Sequence, residues 1–562
     1  MFFIARICYV FLILLPGLPL SAQKYHPVKA NKGLVVSAHP LASQAGLDIL
    51  KKGGNAIDAA VAVGFALQSV FPIAGNIGGG GFAVVRTKDG EVYSLDFRET
   101  APLKSEKNMY IVNDTVHSEL SKKGALAAGV PGTVDGLEKL HQRFGKLSWK
   151  TVMQPSIDLA KEHRITQSEA IDRSAFTRDL SRFEGTRKIF VKKNEWKTND
   201  VFQQPDLVET LTRISENGSK EFYEGKTADL IVETMKKFGG IISHEDLKIY
   251  KSKWRQPLKG TYHDLEIYSM NMPSSGGTIL IQSLNMLENF NLDTLGFNSS
   301  NTIHLVSSVL QKSYSDRAYF MGDPDFVSVP VDTLISKNYA NKRINDFNWK
   351  YHSSSSTVKH GNIPKIESEE TTHYSVADAE GNIVSITYTL NGAFGSFLVV
   401  DGAGFLLNNE MDDFSVQPGF PNSYGLIGGE SNSISPQKRM LSSMTPTIIL
   451  KKGKPFMVVG TPGGSTIPTT VLQVILDVYH FGMSVQAAVN APRFHYQWIP
   501  DLIYYEKNAI NSDALNSLKQ KGYHLEERKN TSGRCEAILF DGEFMYGGAD
   551  YRGDDTALGI WE

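Results

Sequence analysis

The chain has 562 residues, of which 41% are hydrophobic, so it can bury a large core. Length alone allows two to four domains or one large composite fold. The 58 basic residues nearly balance the 60 acidic ones, and no long basic run occurs. This composition argues against a nucleic-acid partner and against general disorder.

The first 22 residues have the pattern of a secretory signal peptide. Arg6 precedes a short apolar run over residues 7–15, and the small residue Ala22 precedes Gln23. An uncleaved membrane anchor is the alternative, but the run is shorter than the roughly 20 residues that a span needs. We expect an exported protein, periplasmic or secreted, whose mature chain has no membrane span.

Two helices and a hairpin are predicted after the signal. Ser43 can cap a first helix that runs to Leu50, and Asn55 can cap a second helix that runs to Val70. The glycine run at residues 78–81 then leads into two strands that end before Arg98. It lacks the Lys-Ser/Thr of a phosphate loop, so it indicates close backbone packing instead.

The remaining chain divides into a helical part and a β-rich part. Residues 129–347 read as mostly helical, and residues 349–370 form a polar linker. Strands follow at 373–377, 383–390, 447–450 and 456–460, then a helix over 468–481. From residue 511 a helix and short strands complete a layered α/β pattern.

Cysteine usage and histidine spacing exclude several kinds of site. The two cysteines are Cys8, inside the signal, and Cys535, which lies among strand-like apolar residues. The mature chain therefore has no intrachain disulfide, and Cys535 is predicted to pack in the core. No HExxH or paired-cysteine motif occurs, so we expect no metal site and no cofactor.

Thr371 is the strongest candidate nucleophile. It begins a β-like stretch directly after the polar linker. If the bond between Glu370 and Thr371 is cut, Thr371 gains a free α-amine with a pKa of roughly 7.7–8.0, suited to a general base. A threonine paired with its own amine is a known nucleophile arrangement. Without further motifs, an ordinary strand threonine is the better explanation of the residue.

Seven collinear motifs resemble those of the γ-glutamyltransferases, also called γ-glutamyl transpeptidases or glutathione hydrolases. Together they span nearly the whole mature chain. They are residues 53–60 (GGNAIDAA), 96–99 (DFRE), 129–132 (GVPG), 370–376 (ETTHYSV), 407–414 (LNNEMDDF), 441–447 (LSSMTPT) and 460–465 (GTPGGS).

This resemblance implies the fold of the N-terminal nucleophile hydrolases, a four-layer αββα sandwich. It also implies self-cleavage between Glu370 and Thr371. The precursor would give a large part, residues 23–370, and a small part, residues 371–562, which stay together as one heterodimer.

The resemblance also assigns site residues. Thr371 would be the nucleophile, Thr389 would hydrogen-bond it, and Gly463 and Gly464 would supply backbone N–H groups to the oxyanion. Arg98, with its forked guanidinium, fits the α-carboxylate of a γ-glutamyl group. The remaining substrate-binding assignments are Asn391, Glu410, Asp413, Ser442, Ser443 and, on a lid loop, Tyr424.

The implied activity is formation of a γ-glutamyl-enzyme from glutathione or a related amide. Water or an amine acceptor would then resolve it, by hydrolysis or transpeptidation. Two alternatives remain open: a β-lactam or glutaryl acylase of the same fold, and a non-catalytic secreted binding protein. The acidic pair Glu410 and Asp413 argues against an acylase, whose substrate side chain lacks an α-amine.

Overall fold

Two seven-stranded antiparallel sheets face each other at the centre of the molecule. The computed structural model describes residues 26–359, 372–417, 419–420, 422–423, 425–528 and 532–561. The strands are β1 (Val28–Ala30), β2 (Gly33–Ser37), β3 (Gly80–Arg86), β4 (Val92–Phe97), β5 (Ile111–Val112), β6 (Thr115–Val116), β7 (His163–Arg164), β8 (Val201–Phe202), β9 (Lys253–Arg255), β10 (Leu258–Tyr262), β11 (Leu265–Ser269), β12 (Thr372–Asp378), β13 (Ile383–Thr389), β14 (Thr447–Lys451), β15 (Lys454–Gly460), β16 (Phe494–His495), β17 (Ile503–Tyr505), β18 (Leu525–Glu527), β19 (Glu536–Asp541), β20 (Phe544–Ala549) and β21 (Thr556–Ile560).

Sheet I has the strand order β21-β2-β12-β13-β3-β4-β9, and sheet II has the order β1-β20-β19-β15-β14-β11-β10. All neighbours within each sheet are antiparallel. An apolar layer between the sheets includes Leu34, Val84, Ile383, Ile448, Val458 and Ile538. Face-to-face packing of two sheets buries one side of each strand.

A helical layer covers the outer face of each sheet. The helices are α1 (Pro40–Lys51), α2 (Ala56–Val70), α3 (Glu119–Lys122), α4 (Thr133–Phe144), α5 (Trp149–Lys161), α6 (Gln167–Ala175), α7 (Thr177–Leu180), α8 (Glu184–Phe190), α9 (Pro205–Asn217), α10 (Ser219–Glu224), α11 (Lys226–Phe238), α12 (His244–Ile249), α13 (Gly276–Leu287), α14 (Ser300–Phe320), α15 (Val331–Leu334), α16 (Lys337–Ile344), α17 (Ile467–Tyr479), α18 (Val485–Asn490) and α19 (Ser512–Gln520). One core joins sheet I to α1, α2, α4, α5, α9 and α11, and another joins sheet II to α13, α14, α17 and α19. The four-layer αββα prediction is confirmed.

The strand β12, which starts one residue after the candidate nucleophile, lies in the middle of sheet I. Tyr374 and Val376 point into the helical core, whereas Ala377 packs in the layer between the sheets. His373, like Ala377, faces sheet II, because a β-carbon on Gly460 of sheet II would meet its ring. The alternation of a strand therefore aims the odd-numbered residues of β12 at sheet II.

Several local predictions are confirmed, and one cap is wrong. Asn55 caps α2 in a full capping box with Asp58. The first helix, however, begins at Pro40 with His39 as its cap, whose ring accepts from the Leu41 N–H. Ser43 instead donates to the Thr556 carbonyl at 2.7 Å, tying α1 to the last strand. Cys535 is buried as predicted.

In the described part of the chain, no helix combines the length and the apolar character that crossing a bilayer requires.

Candidate active site

Arg98 is the centre of a buried charge cluster. It follows the last residue of β4, and its side chain is completely buried. Its Nη1 lies 2.7 Å from Glu410 Oε2, and its Nη2 lies 2.5 Å from Asp413 Oδ2. Glu99 Oε2 is also near, at 3.7 Å from Nη1. One guanidinium thus faces three carboxyl groups.

A short 3₁₀ turn, Glu410–Asp413, presents the two acidic partners of Arg98. Asn408 fixes the approach to this turn. Its Oδ1 accepts from the Glu410 N–H at 3.0 Å and the Gly129 N–H at 2.8 Å. Its Nδ2 donates to the carbonyls of Gly78 and Gly129, both at 2.8 Å. One asparagine therefore joins two of the seven motifs to the glycine run at residues 78–81.

Burial controls the protonation of this cluster. It raises the pKa of Glu99 to about 8, although the charge of Arg98 opposes the shift. Burial also raises the pKa values of Glu410 and Asp413, and the positive charge of Arg98 again opposes these shifts. Burial disfavours the charged form of Arg98 itself, but the three carboxyl groups outweigh this and raise its pKa. The arginine stays charged, while the carboxyl groups around it hold protons more tightly than usual.

Ser442 and Ser443 form another wall of the site. Both are buried, and the Ser443 hydroxyl makes no hydrogen bond within the described residues. The Ser442 N–H donates to the Pro273 carbonyl at 2.9 Å. Ser274 Oγ donates to the Met444 carbonyl at 2.5 Å. The segment that leads into α13 thus holds the serine pair in place.

Thr389 and Asn391 lie at the end of β13, next to the strand that follows Thr371. Thr389 pairs with Gly80 across sheet I. The Asn391 N–H donates to Thr389 Oγ1 at 2.8 Å, and its side chain donates to the Asn409 carbonyl at 3.0 Å. Asn391 has φ 76°, a conformation that asparagine tolerates better than most residues.

Gly463 and Gly464 form the turn between β15 and α17. Their φ values are 133° and 53°, in the region that favours glycine. A β-carbon on Gly463 would also collide with Thr466 Oγ1. The turn places backbone amides before the N-terminus of a 13-residue helix, where partial positive charge favours an anion.

These elements meet around one small cavity. Of the predicted site residues, its lining includes Arg98, Thr389, Asn391, Asp413, Ser442, Ser443 and Gly464, together with Leu426, Met444 and Ile467. Glu410 lies behind Arg98, and Gly463 adjoins Gly464. Glu370, Thr371 and Tyr424 lie outside the described residues.

Sequence reasoning gave no role to three residues that build this site. Glu99 was part of a recognised motif, next to Arg98, and that adjacency was the available signal. Ser274 and Ser275 carried no signal of their own, because their contacts with Met444 and Ser442 span about 170 residues of sequence.

Known proteins share this architecture. The family model for gamma-glutamyltranspeptidase matches residues 42–560. The glutathione hydrolase proenzyme of Escherichia coli strain K12 is 43% identical over 542 residues, covering 95% of this chain and 93% of that protein.

Two solved structures are also similar. The cephalosporin acylase from Bacillus halodurans has a TM-score of 0.86 at 26% identity and covers 99% of both chains. A gamma-glutamyltranspeptidase chain from Helicobacter pylori has a TM-score of 0.57 at 47% identity, covering 58% of this chain and 94% of that one.

The fold and these similarities define the class as an N-terminal nucleophile hydrolase with the four-layer αββα sandwich. Within this class, the chain belongs to the gamma-glutamyltranspeptidase family.

Proposed function

We propose that this protein is an autoprocessed γ-glutamyltransferase that acts on glutathione or related γ-glutamyl amides. One observation carries the proposal: Arg98, Asp413, Ser442 and Ser443 line the same small cavity as Thr389 and Gly464. A recognition end for an α-amino acid thus lies beside a candidate catalytic end. The glutathione hydrolase name of the Escherichia coli relative supports the substrate class.

At the recognition end, Arg98 and the two serines bind the α-carboxylate. A guanidinium matches a carboxylate in charge and in geometry. The α-ammonium group binds Asp413 and Glu410, with Asn391 as a further acceptor. Three carboxyl groups surround the single guanidinium of Arg98, and their oxygens can accept hydrogen bonds from a bound ammonium group. The family resemblance assigns Tyr424, on the loop after Asp413, to this end as well.

At the catalytic end, Thr371 Oγ attacks the γ-carbonyl carbon of the substrate. Its own α-amine accepts the hydroxyl proton, which then passes to the leaving amine as the C–N bond breaks. Thr389 hydrogen-bonds the nucleophile, and the N–H groups of Gly463 and Gly464 stabilise the oxyanion. Water, or an amino acid or peptide amine, then attacks the γ-glutamyl ester and restores Thr371.

Processing creates this nucleophile. We infer export with removal of residues 1–22, followed by cleavage between Glu370 and Thr371. Residues 23–370 and 371–562 remain associated. The interleaving of both parts in both sheets supports this association, since β12 and β13 lie between β2 and β3.

The test compares the wild type with T371A. We expect the wild type to give two fragments on a denaturing gel, with intact masses that place one N-terminus at Thr371. T371A should stay one chain and should not hydrolyse γ-glutamyl-p-nitroanilide. A wild type that remains one inactive chain when folded at neutral pH would favour the non-catalytic binding protein instead.

An acylase of the same fold is the second candidate, favoured by similarity to the cephalosporin acylase structure. The two functions differ in one group, the substrate α-amine. Glutaryl-p-nitroanilide lacks that amine but is otherwise matched to γ-glutamyl-p-nitroanilide. Because of the acidic pair, we expect a higher kcat/KM for the γ-glutamyl compound. The reverse preference would identify an acylase.

A further inference from the structure

His373 is a buried histidine, two positions after the proposed nucleophile, that the roles above leave unused. It lies in β12, has no exposed surface and faces sheet II. Burial lowers its pKa to about 3, so the ring is neutral. A histidine close to a nucleophile is commonly its general base. The contacts of this ring indicate a different role.

Both ring nitrogens of His373 are used in hydrogen bonds within the sheets. Nε2 lies 3.0 Å from Ser375 Oγ, and Nδ1 lies 2.9 Å from Thr387 Oγ1. Ser375 Oγ donates its single proton to the Glu536 carbonyl of β19, at 3.4 Å. It therefore accepts from Nε2–H, and Nδ1 accepts from the Thr387 hydroxyl. This tautomer leaves neither nitrogen free to take a proton from Thr371.

The ring also fills the space between the two sheets at one level of their strands. His373 pairs with Thr387 in sheet I, and Gly460 pairs with Glu536 in sheet II. A β-carbon on Gly460 would lie 2.4 Å from both Nδ1 and Cε1 of the ring. The imidazole therefore rests directly on the backbone of β15, at a position where no side chain fits.

The strands that this ring contacts lead directly into the proposed catalytic groups. β12 begins at Thr372, the residue after Thr371. β15 ends at Gly460, shortly before the Gly463–Gly464 turn. β13, which carries the hydroxyl that bonds Nδ1, ends at Thr389. One buried ring thus joins the strands of the nucleophile, of its hydrogen-bond partner and of the oxyanion donors.

We propose that His373 is a positioning residue that sets the separation between the nucleophile strand β12 and the oxyanion turn after β15. Its neutral, hydrogen-bonded ring is a rigid spacer and not a proton acceptor. The inference rests on the proposed γ-glutamyl function. His373 is not among the described residues that line the site cavity, so the spacer should affect the chemical step more than substrate binding.

Reciprocal substitutions on the two strands test the spacer. H373A removes the ring, G460A places a methyl group against it, and H373A/G460A lets that methyl group occupy part of the vacated space. H373Q keeps a donor for Ser375 and much of the side-chain volume. H304A is the matched control, because His304 in α14 is also buried with both ring nitrogens hydrogen-bonded, but it does not line the cavity.

The measurement is hydrolysis of γ-glutamyl-p-nitroanilide, with kcat calculated per processed chain from denaturing gels. We expect kcat to fall about 100-fold in H373A and in G460A, as a displacement of about 1 Å allows. KM and the inhibition constant of L-glutamate should stay within about threefold of the wild-type values. H373Q should lose less activity than H373A, and H304A should stay within about twofold of the wild type.

Two further readouts distinguish a spacer from a general loss of structure. The loss of kcat in H373A/G460A should be at least about tenfold smaller than the product of the two single losses, because the changes compensate each other. The pH dependence of kcat/KM should keep the same limbs in every variant, since the α-amine of Thr371 is the base.

The inference would be overturned by a kcat near the wild-type value in H373A, by a double variant whose loss equals the product of the single losses, or by a missing pH limb in H373A. That last result would make His373 the base. If H373A does not fold or self-cleave, H373Q and H373Q/G460A take its place in the comparison.

Failure of the proposed function is distinct, because the wild type itself would then not hydrolyse γ-glutamyl-p-nitroanilide. The same variants would in that case be compared on glutaryl-p-nitroanilide, since the spacer acts at the catalytic end. A wild type that is never processed would overturn both proposals.

Discussion

Arg98 combines two properties that a lysine cannot reproduce. Its two terminal nitrogens bind separate carboxylates, at 2.7 Å and 2.5 Å, and its fork can still receive a substrate carboxylate. Lysine keeps the charge but offers one compact ammonium group. We expect R98K to raise KM for γ-glutamyl-p-nitroanilide about 30-fold, the loss of one charged hydrogen bond, with a smaller change in kcat.

Arg552 provides a matched control for this substitution. Its side chain is nearly as buried and binds Glu506 at 2.6 Å and Asp550 at 3.0 Å, but it does not line the cavity. R552K should leave KM within about twofold of the wild-type value, since it removes no substrate contact. A similar rise of KM in both variants would mean that R98K acts through general loosening of the protein.

Glu99 makes the stability of the protein depend on pH. Its pKa is raised to about 8 by burial, above the unfolded value of about 4.3. Between these pH values the folded protein binds a proton that the unfolded chain does not. The free energy of unfolding therefore falls as pH rises through this window, by up to about 1.4 kcal/mol per pH unit. Below the window, Glu99 adds no pH dependence.

E99Q removes the titrating carboxyl group, so the free energy of unfolding should decline less steeply as pH rises. The measurement is urea unfolding at pH 6, 7 and 8 in a T371A background, which we expect to unfold as one chain. E106Q, at an exposed position, should follow its parent at every pH. Parallel pH dependences in E99Q and its parent would show that Glu99 is not protonated in the folded state.

The sequence predicted those site residues whose chemistry is recognisable from a local motif. Seven of the predicted residues line one cavity. The arginine, the acidic pair and the serine pair could be predicted because each lies in a distinctive sequence motif. Ser274 and Ser275 carry no such signature. Their importance comes from hydrogen bonds to residues 170 and 167 positions away, which only the folded chain brings together.

At the scale of elements, the glycine run before β3 sets how closely the strands approach the site. A β-carbon on Gly79 would overlap the Thr389 carbonyl oxygen and lie 2.7 Å from Asn76 Oδ1. We expect G79A to destabilise the fold by about 3 kcal/mol, since neither backbone can move without breaking sheet I. The end of β13 should shift as well, and kcat should fall with stability.

Gly429 offers the contrast within the same chain. A β-carbon there would lie 3.3 Å from the Ala318 carbonyl oxygen, which a small shift can relieve. Urea unfolding should place G429A within about 1 kcal/mol of the parent protein. Equal destabilisation by G79A and G429A would contradict the claim that the glycine run is needed for close packing.

Elements with complete local signals were predicted from the sequence, and those fixed by distant contacts were not. The capping box at Asn55 predicted α2, because both of its hydrogen bonds are local. The cap of α1 was misplaced, because Ser43 is used in a bond to Thr556, far along the chain. The hairpin of β10 and β11 was missed inside a region read as helical, and β14 of sheet II holds it there.

At the scale of the molecule, the layer order followed from the sequence only through the family resemblance. Alternating strands and amphipathic helices predicted layers, but not which strands share a sheet. In sheet I, β2 and β3 flank β12 and β13, which lie nearly 300 residues later. Such pairing depends on contacts between distant segments, which no local pattern encodes.

This interleaving has a consequence for the processed enzyme. If the chain is cut after Glu370, both sheets still combine strands from the two fragments. The end of the large fragment is also anchored: the Ser355 N–H and the His352 ring each reach Asp501 at 2.8 Å, and the Trp498 indole donates to the Val358 carbonyl at 3.1 Å. Separation would break three β-ladders in sheet I and two in sheet II, and would expose their cores.

We therefore expect the cut wild type and uncut T371A to elute at the same volume in size-exclusion chromatography. The wild type should show two bands only after denaturation, and native mass spectrometry should give the sum of both fragments. Urea should release the fragments only at concentrations that also abolish the near-ultraviolet circular dichroism signal, because association and folding share one core. Release of one fragment while the other keeps its signal would mean that the two parts fold independently.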